Sequence, residues 1–241
     1  MVSNRGHDMS ECMGTHLITG AGSGIGAAVA ARLAERGEEL WFLVRDAKRA
    51  AQLKAQFPGS NTLIGDLSAP DRLSWALGQQ AQPVELDSLL HIAGVVQLGT
   101  VGDLTTKVWN ETLAVNLIAP AELTRLFLPT LRVSRGHVVF VNSGAGLTAS
   151  AEWGVYAASK FGLRGLADSL RAEEHGNGVR VTTVYPGRTA TAMQQRVRSQ
   201  EGLPYDADAY IAPESIATTV LTALDLPRDA EITELTVRPG R

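Results

Sequence analysis

Tyr156 and Lys160 stand four residues apart in WGVYAASKFG, a spacing that in a helix stacks a phenol and an ammonium on one face. That is a proton donor beside an activator. A nearby ammonium favours the phenolate, and a phenol tuned in this way can exchange a proton with an alcohol or a ketone. Taken alone, the pair is a weak signal and reads more readily as the solvated face of an exposed helix. A second constellation lies far upstream. TGAGSGIG, Thr19 to Gly26, follows the apolar Leu17-Ile18 and precedes the alanine-rich AAVAARLAER, which reads as strand, glycine turn and helix. Gly20 is free to take a backbone conformation closed to other residues, and Gly24 and Gly26 remove side chains where a phosphate or a neighbouring strand must come close. Free N–H groups at the start of a helix stabilise a pyrophosphate without any lysine. No GKS/T follows the glycines, which argues against an ATPase or GTPase. The dinucleotide pattern GxGxxG fits only with Ala27 in its last place, so the segment by itself also reads as a tight turn.

The elements that must position these groups alternate along the chain. Strand patterns fall near residues 15–19, 39–44, 61–65, 87–92, 136–142, 179–184 and 232–237, with helical patterns near 25–36, 47–56, 70–80, 104–131, 154–175 and 213–225. Such alternation predicts a parallel sheet covered by helices on both faces. The 241 residues, 44% hydrophobic and 20% charged, suit one α/β domain over 14–241 with a sizeable core. The first thirteen residues are polar and read as a flexible leader, with Met9 or Met13 as alternative starts. Apolar runs are too short to cross a bilayer, and a cytoplasmic protein is expected. The lone Cys12 allows no intrachain disulfide, and one cysteine with five scattered histidines offers no zinc cluster, so no metal is expected. A net charge of −3 without an arginine-lysine stripe disfavours nucleic acid as a partner.

Five motifs in one register point further. TGAGSGIG, Asn116 in LAVNLIAP, Ser143 in VFVNSGAG, YAASK from Tyr156 to Lys160 and PGRTAT from Pro186 to Thr191 resemble the short-chain dehydrogenase/reductase family over nearly the whole chain. The resemblance implies a single doubly wound Rossmann-type parallel sheet of about seven strands, with the cofactor over the carboxyl ends where strand order reverses. It also implies a catalytic set of Asn116, Ser143, Tyr156 and Lys160, with Tyr156 as general acid/base. Lys160 would lower the proton affinity of Tyr156 and hold the nicotinamide ribose. Ser143 would hydrogen-bond the reacting oxygen, a role for which Asn142 competes; Ser143 reads also as a cap in NSGAG. Pro120 has no N–H to offer the Asn116 carbonyl four residues back, leaving it open to a water that links Lys160 to solvent; a plain proline kink is the alternative.

Cofactor contacts implied by the resemblance are Gly20, Ser23, Gly24, Ile25 and Gly26 in the glycine turn, Asp66 and Leu67 after the third strand, and Ala93 and Gly94 in HIAG, alongside Tyr156 and Lys160. Pro186, Gly187, Thr189 and Thr191 are placed at the nicotinamide. At the end of the second strand, Val44 occupies the position of the acid that accepts from a ribose 2′-hydroxyl, and Arg45 follows. The expectation is therefore NADP(H), since a 2′-phosphate favours arginine. Asp46 would favour NAD(H) if the turn shifts by a residue, and reads otherwise as a helix cap. Lys48 and Arg49 read as solvated charges that could add to a phosphate site. The family most often has NNAG where this chain has HIAG; His91 is expected to be a hydrogen-bonded core residue making the strand contact the asparagine would make. Residues 188–212 are expected to form a lid, irregular and polar from Ala192 onward, with Val95, Gln97, Leu147, Trp153, Met193 and Tyr205 as pocket candidates for a partly apolar carbonyl compound. The expected activity is NADP(H)-dependent alcohol dehydrogenase or ketoreductase, in a homodimer or homotetramer built on the helices carrying Asn116 and Tyr156. The rivals are an NAD-dependent dehydrogenase and a redox-silent dinucleotide-binding regulator.

Overall fold

A computed structural model describes residues 13–240; Met9, Cys12 and the rest of the first twelve residues lie outside the described residues, and of the expected leader only Met13 is described. Short runs of branched and aromatic residues form seven strands: β1 Thr15–Thr19, β2 Glu39–Val44, β3 Asn61–Ile64, β4 Ser88–His91, β5 His137–Val141, β6 Arg180–Pro186 and β7 Glu234–Val237. All pair in parallel in the order β3-β2-β1-β4-β5-β6-β7. The order reverses between β1 and β4, which opens a crevice at their carboxyl ends.

Successive side chains on a strand point to opposite faces, so each strand feeds two cores. On one face Ile18, Phe42, Val44 and Val139 pack against Val29 and Leu33 of α1 (Gly24–Glu35), Leu53 of α2 (Ala47–Gln56) and Val220 of α8 (Pro213–Leu224). On the other, Leu17, Leu43, Leu89 and Phe140 pack against Leu77 of α3 (Leu73–Gly78), Phe127 of α5 (Ala119–Ser134) and Leu163 of α6 (Gly154–Glu174). The expected helix over 104–131 is two helices, α4 (Thr106–Leu113) and α5, joined by one π turn at Ala114–Ile118.

Residues 192–212 depart from expectation. They are not irregular throughout: Ala192–Gln200 forms α7, with the Thr191 hydroxyl accepting from Gln194 N at 3.2 Å as its cap. The return of this segment is tied down where Ala190 N donates to Ile211 O and Ile211 N donates to Arg188 O.

Candidate active site

At the reversal point, Gly20 has φ 75° and lies so close to the end of β4 that a Cβ would sit 2.8 Å from Ala93 N. A side chain on Gly26 would collide with the Gly20 carbonyl. These glycines therefore seat the turn against the strand and against itself. Above the turn α1 begins at Gly24, and the Ser23 side chain does not cap it. The first-turn N–H groups have no partner within the helix and face a cavity of about 630 Å³ that Gly20, Ser23, Gly24, Ile25 and Gly26 line. Ala93, Gly94, Pro186, Gly187, Thr189 and Thr191 line the same cavity, as do Ser143, Tyr156 and Lys160.

Tyr156 and Lys160 sit one turn apart on α6, both almost fully buried. Lys160 Nζ lies 5.8 Å from the Tyr156 ring centre and donates to Val141 O at the end of β5. Burial holds the ammonium down to about 8. The expected lowering of the tyrosine does not appear: burial raises the phenol above its ordinary range, and the Ser143 hydroxyl opposes it only in part. Low dielectric disfavours the charged form of each group, so Tyr156 carries its proton at neutral pH. Asn142 is turned away, donating to Lys160 O at 3.0 Å and accepting from Ser143 N, which leaves Ser143 as the hydroxyl facing the phenol.

Asn116 sits in the π turn, where Ala119 N donates to Ala114 O, five residues back. Pro120 carries no N–H, so it gives the Asn116 carbonyl nothing. The side chain has separate work: it donates to Val95 O (2.9 Å) and Ser159 Oγ (3.0 Å) and accepts from Val95 N (2.8 Å). It thus clamps the segment after β4, and a Cβ on Gly94 would stand 3.4 Å from Asn116 Oδ1.

His91 is neutral, held down to about 3 by burial, stacked on Phe140 and bonded to Thr124 on α5. It does not make the expected strand contact. Thr19 does: its hydroxyl accepts from Ile92 N (3.0 Å) and Ala93 N (3.1 Å) and donates to Leu90 O, a role hidden in a residue that reads as ordinary strand.

A second cavity, of about 1070 Å³, adjoins the first at Gly20, Ser23 and Ala93 and is lined by Arg45, Asp46, Arg49, Asp66 and Leu67. Asp46 caps α2, accepting from Arg49 N at 2.8 Å, and its other oxygen lies 3.6 Å from Arg45 Nε. The cap bond holds this carboxyl below its usual range, with the Arg45 guanidinium a lesser help. Arg49 does not point into solvent as its helix position suggests: Nη2 reaches the Gly22 carbonyl at 2.7 Å and Nη1 reaches Gln52. Asp66 Oδ1 accepts from Ser68 N and Oγ, fixing the turn after β3. Of the pocket candidates, Trp153 and Met193 line the first cavity and Val95 and Gln97 the second, while Leu147 and Tyr205 line neither.

Residues 15–202 match the sequence profile of the short chain dehydrogenase family. The chain belongs to that family of short-chain dehydrogenases/reductases and is an oxidoreductase. It is 32% identical over 238 residues to the sepiapterin reductase of Chlorobaculum tepidum, covering 92% of this chain and 95% of the relative. It is 31% identical to a stretch of the glycine betaine reductase of Emericella nidulans, and the match spans 18% of that much longer protein. Among solved structures, a metagenomic short-chain oxidoreductase in complex with NADP superposes with a TM-score of 0.77 at 30% identity, over 95% of this chain and 98% of the other. The uncapped start of α1, the close seat of Gly20 and the two adjoining cavities fit the dinucleotide this fold carries in that relative. No helix among the described residues is long and apolar enough to cross a membrane.

Proposed function

We propose that the protein is an NADP(H)-dependent ketoreductase or alcohol dehydrogenase. The convergence of Ser143, Tyr156 and Lys160 on the cavity that begins at the α1 terminus carries this reading. The nicotinamide, when bound, supplies or accepts the hydride. Tyr156 gives its proton to the carbonyl oxygen during reduction and takes it back in oxidation. Ser143 holds that oxygen while its charge changes. Lys160 holds the ribose and stabilises the phenolate left after transfer. The Asn116 carbonyl, freed by Pro120, orders a water that returns the proton through Lys160, and the Asn116 side chain keeps the wall of the site in place.

Glycine-turn amides and Ser23 hold the pyrophosphate, Asp66 and Leu67 border the adenine, and Thr189 and Thr191 meet the carboxamide through backbone groups, the Thr191 hydroxyl being used as a cap. The preference for NADP(H) rests on Asp46, whose carboxylate is committed to the α2 cap and to Arg45. A 2′-phosphate meets Arg45 and Arg49 there instead. Association into a homodimer or homotetramer is part of the same reading, supported by the exposed Ile118 and Phe161 beside the Asn116 and Tyr156 helices.

The test is titration of NADPH and NADH into the protein at fixed ionic strength, with Arg45→Ala and Arg49→Ala alongside. NADPH should bind more tightly, and each substitution should weaken it by roughly 1.5–3 kcal/mol while NADH binding changes little. Equal or tighter NADH binding would reject the NADP(H) preference. A Tyr156→Phe variant that still reduced ketones at the parent rate would reject the assigned chemistry.

A further inference from the structure

The walls of the reaction cavity are electrically one-sided. Lys160, Arg188, Arg196 and Arg238 line it, and among the described residues no aspartate or glutamate does. A cleft lined by one sign of charge concentrates ligands of the other sign. The dinucleotide phosphates have partners of their own. The pyrophosphate cradle is built from backbone at the start of α1, and the 2′-phosphate position has Arg45 and Arg49 in the neighbouring cavity.

Arg188 and Arg238 instead border the reacting groups. The Arg188 guanidinium lies 5.9 Å from the Trp153 ring centre, and Trp153 meets the Tyr156 ring edge-on at 5.8 Å. It is one ring removed from the phenol. Arg188 also forks onto Glu201 at 2.9 and 2.5 Å, but Glu201 is shared with Arg198 at 2.9 Å. Two guanidiniums facing one carboxylate leave net positive charge on this wall. On the other side, Arg238 donates to Tyr185 O and its guanidinium comes within 3.4 Å of where a Cβ on Gly144 would stand, next to Ser143.

We propose that the substrate carries a carboxylate in addition to its reacting carbonyl, and that Arg188, with Arg238, is the specificity-determining anchor for it. The inference rests on the ketoreductase reading above. The Arg188 fork is shared with Glu201, so what the wall offers an anion is the charge left over when Arg188 and Arg198 face one carboxylate, with Arg238 beside Ser143. A guanidinium stays charged and is weakly hydrated, which suits it to pairing with a carboxylate while the carbonyl faces Ser143 and Tyr156.

The test compares 4-oxopentanoate with its methyl ester, which differ in charge but share the ketone. Each is titrated calorimetrically into the full chain saturated with whichever oxidised dinucleotide it binds more tightly, and each is assayed for reduction. The acid should bind about tenfold more tightly than the ester, roughly 1.4 kcal/mol. Arg188→Gln should remove most of that preference and leave ester binding within about twofold; Glu201 keeps Arg198, so the segment stays tied. Arg238→Gln should reduce the preference less and guards against a folding defect at Arg188. Equal binding of acid and ester, a preference that survives both substitutions, or binding of neither compound would overturn the carboxylate site. Reduction of the ester as fast as the acid, with equal binding, would do so while leaving the ketoreductase reading standing. Arg188-dependent binding of the acid with turnover of neither compound would support the anion site and count against the ketoreductase reading.

Discussion

Lys160 holds its charge where charge is unfavourable, and this gives the site a pH dependence of definite sign. Its folded value is about 8 against 10.5 for the free side chain. Between these values the unfolded chain binds the extra proton, so folding stability rises with pH across the window while the site loses its ammonium. Activity and stability should therefore move in opposite directions. Ketone reduction should fall with loss of one proton near pH 8, and Lys160→Arg, whose guanidinium stays charged, should move that limb upward. Lys160→Met should raise the melting temperature more at about pH 7 than at about pH 9.5, because only at the lower pH does the parent bury a charge. An unchanged pH limb in Lys160→Arg would remove Lys160 as its source. Tyr156 acts with the opposite sign: burial favours the neutral phenol, so its contribution is present below pH 10 and fades as the unfolded chain ionises above it. That Ser143, Tyr156 and Lys160 meet at one cavity was legible from the Tyr-Lys spacing together with the family resemblance. The direction of the tyrosine shift was not, because the depth of burial is a property of the packed site and leaves no local mark in YAASK.

Between elements, one hydroxyl extends the β1–β4 pairing past the strand ends at the reversal point. Thr19→Val keeps the shape of the side chain but removes the acceptor of Ile92 N and Ala93 N, two half-buried donors, at a cost of roughly 1 kcal/mol for each. The variant should melt at lower temperature and bind the dinucleotide more weakly. Parent-like values for both would show that the turn is held by its glycines alone. Strand and helix placement in the sheet was readable because the apolar runs are short, buried on both faces and separated by turn residues. Helix α7 was missed because AMQQRVRSQ shows only Met193 and Val197 as an apolar stripe; the Thr191 cap, three residues before Gln194, was the available signal. Arg49 was missed for another reason: helical periodicity assigns it outward, and nothing local shows a guanidinium reaching back to a carbonyl 27 residues away.

For the whole molecule, the expected self-association places Ile118 and Phe161, which are about half exposed, in contact with a second copy. Sedimentation at micromolar concentration should give a multiple of 25.6 kDa, and Phe161→Asp should return the single-chain mass. A parent protein that already sediments as one chain would reject the assembly. Ile118 itself closes the π turn at Ala114–Ile118, whose effect reaches along the whole helix. One residue beyond the α-helical count turns everything after it by roughly 100°. Thr112 before the turn, Asn116 within it, and Leu123, Phe127 and Leu131 after it are all buried. Deleting any single residue between 114 and 118 would swing one half of this helix out of phase with the other. Over evolutionary time the segment is free to change its letters far more readily than their number.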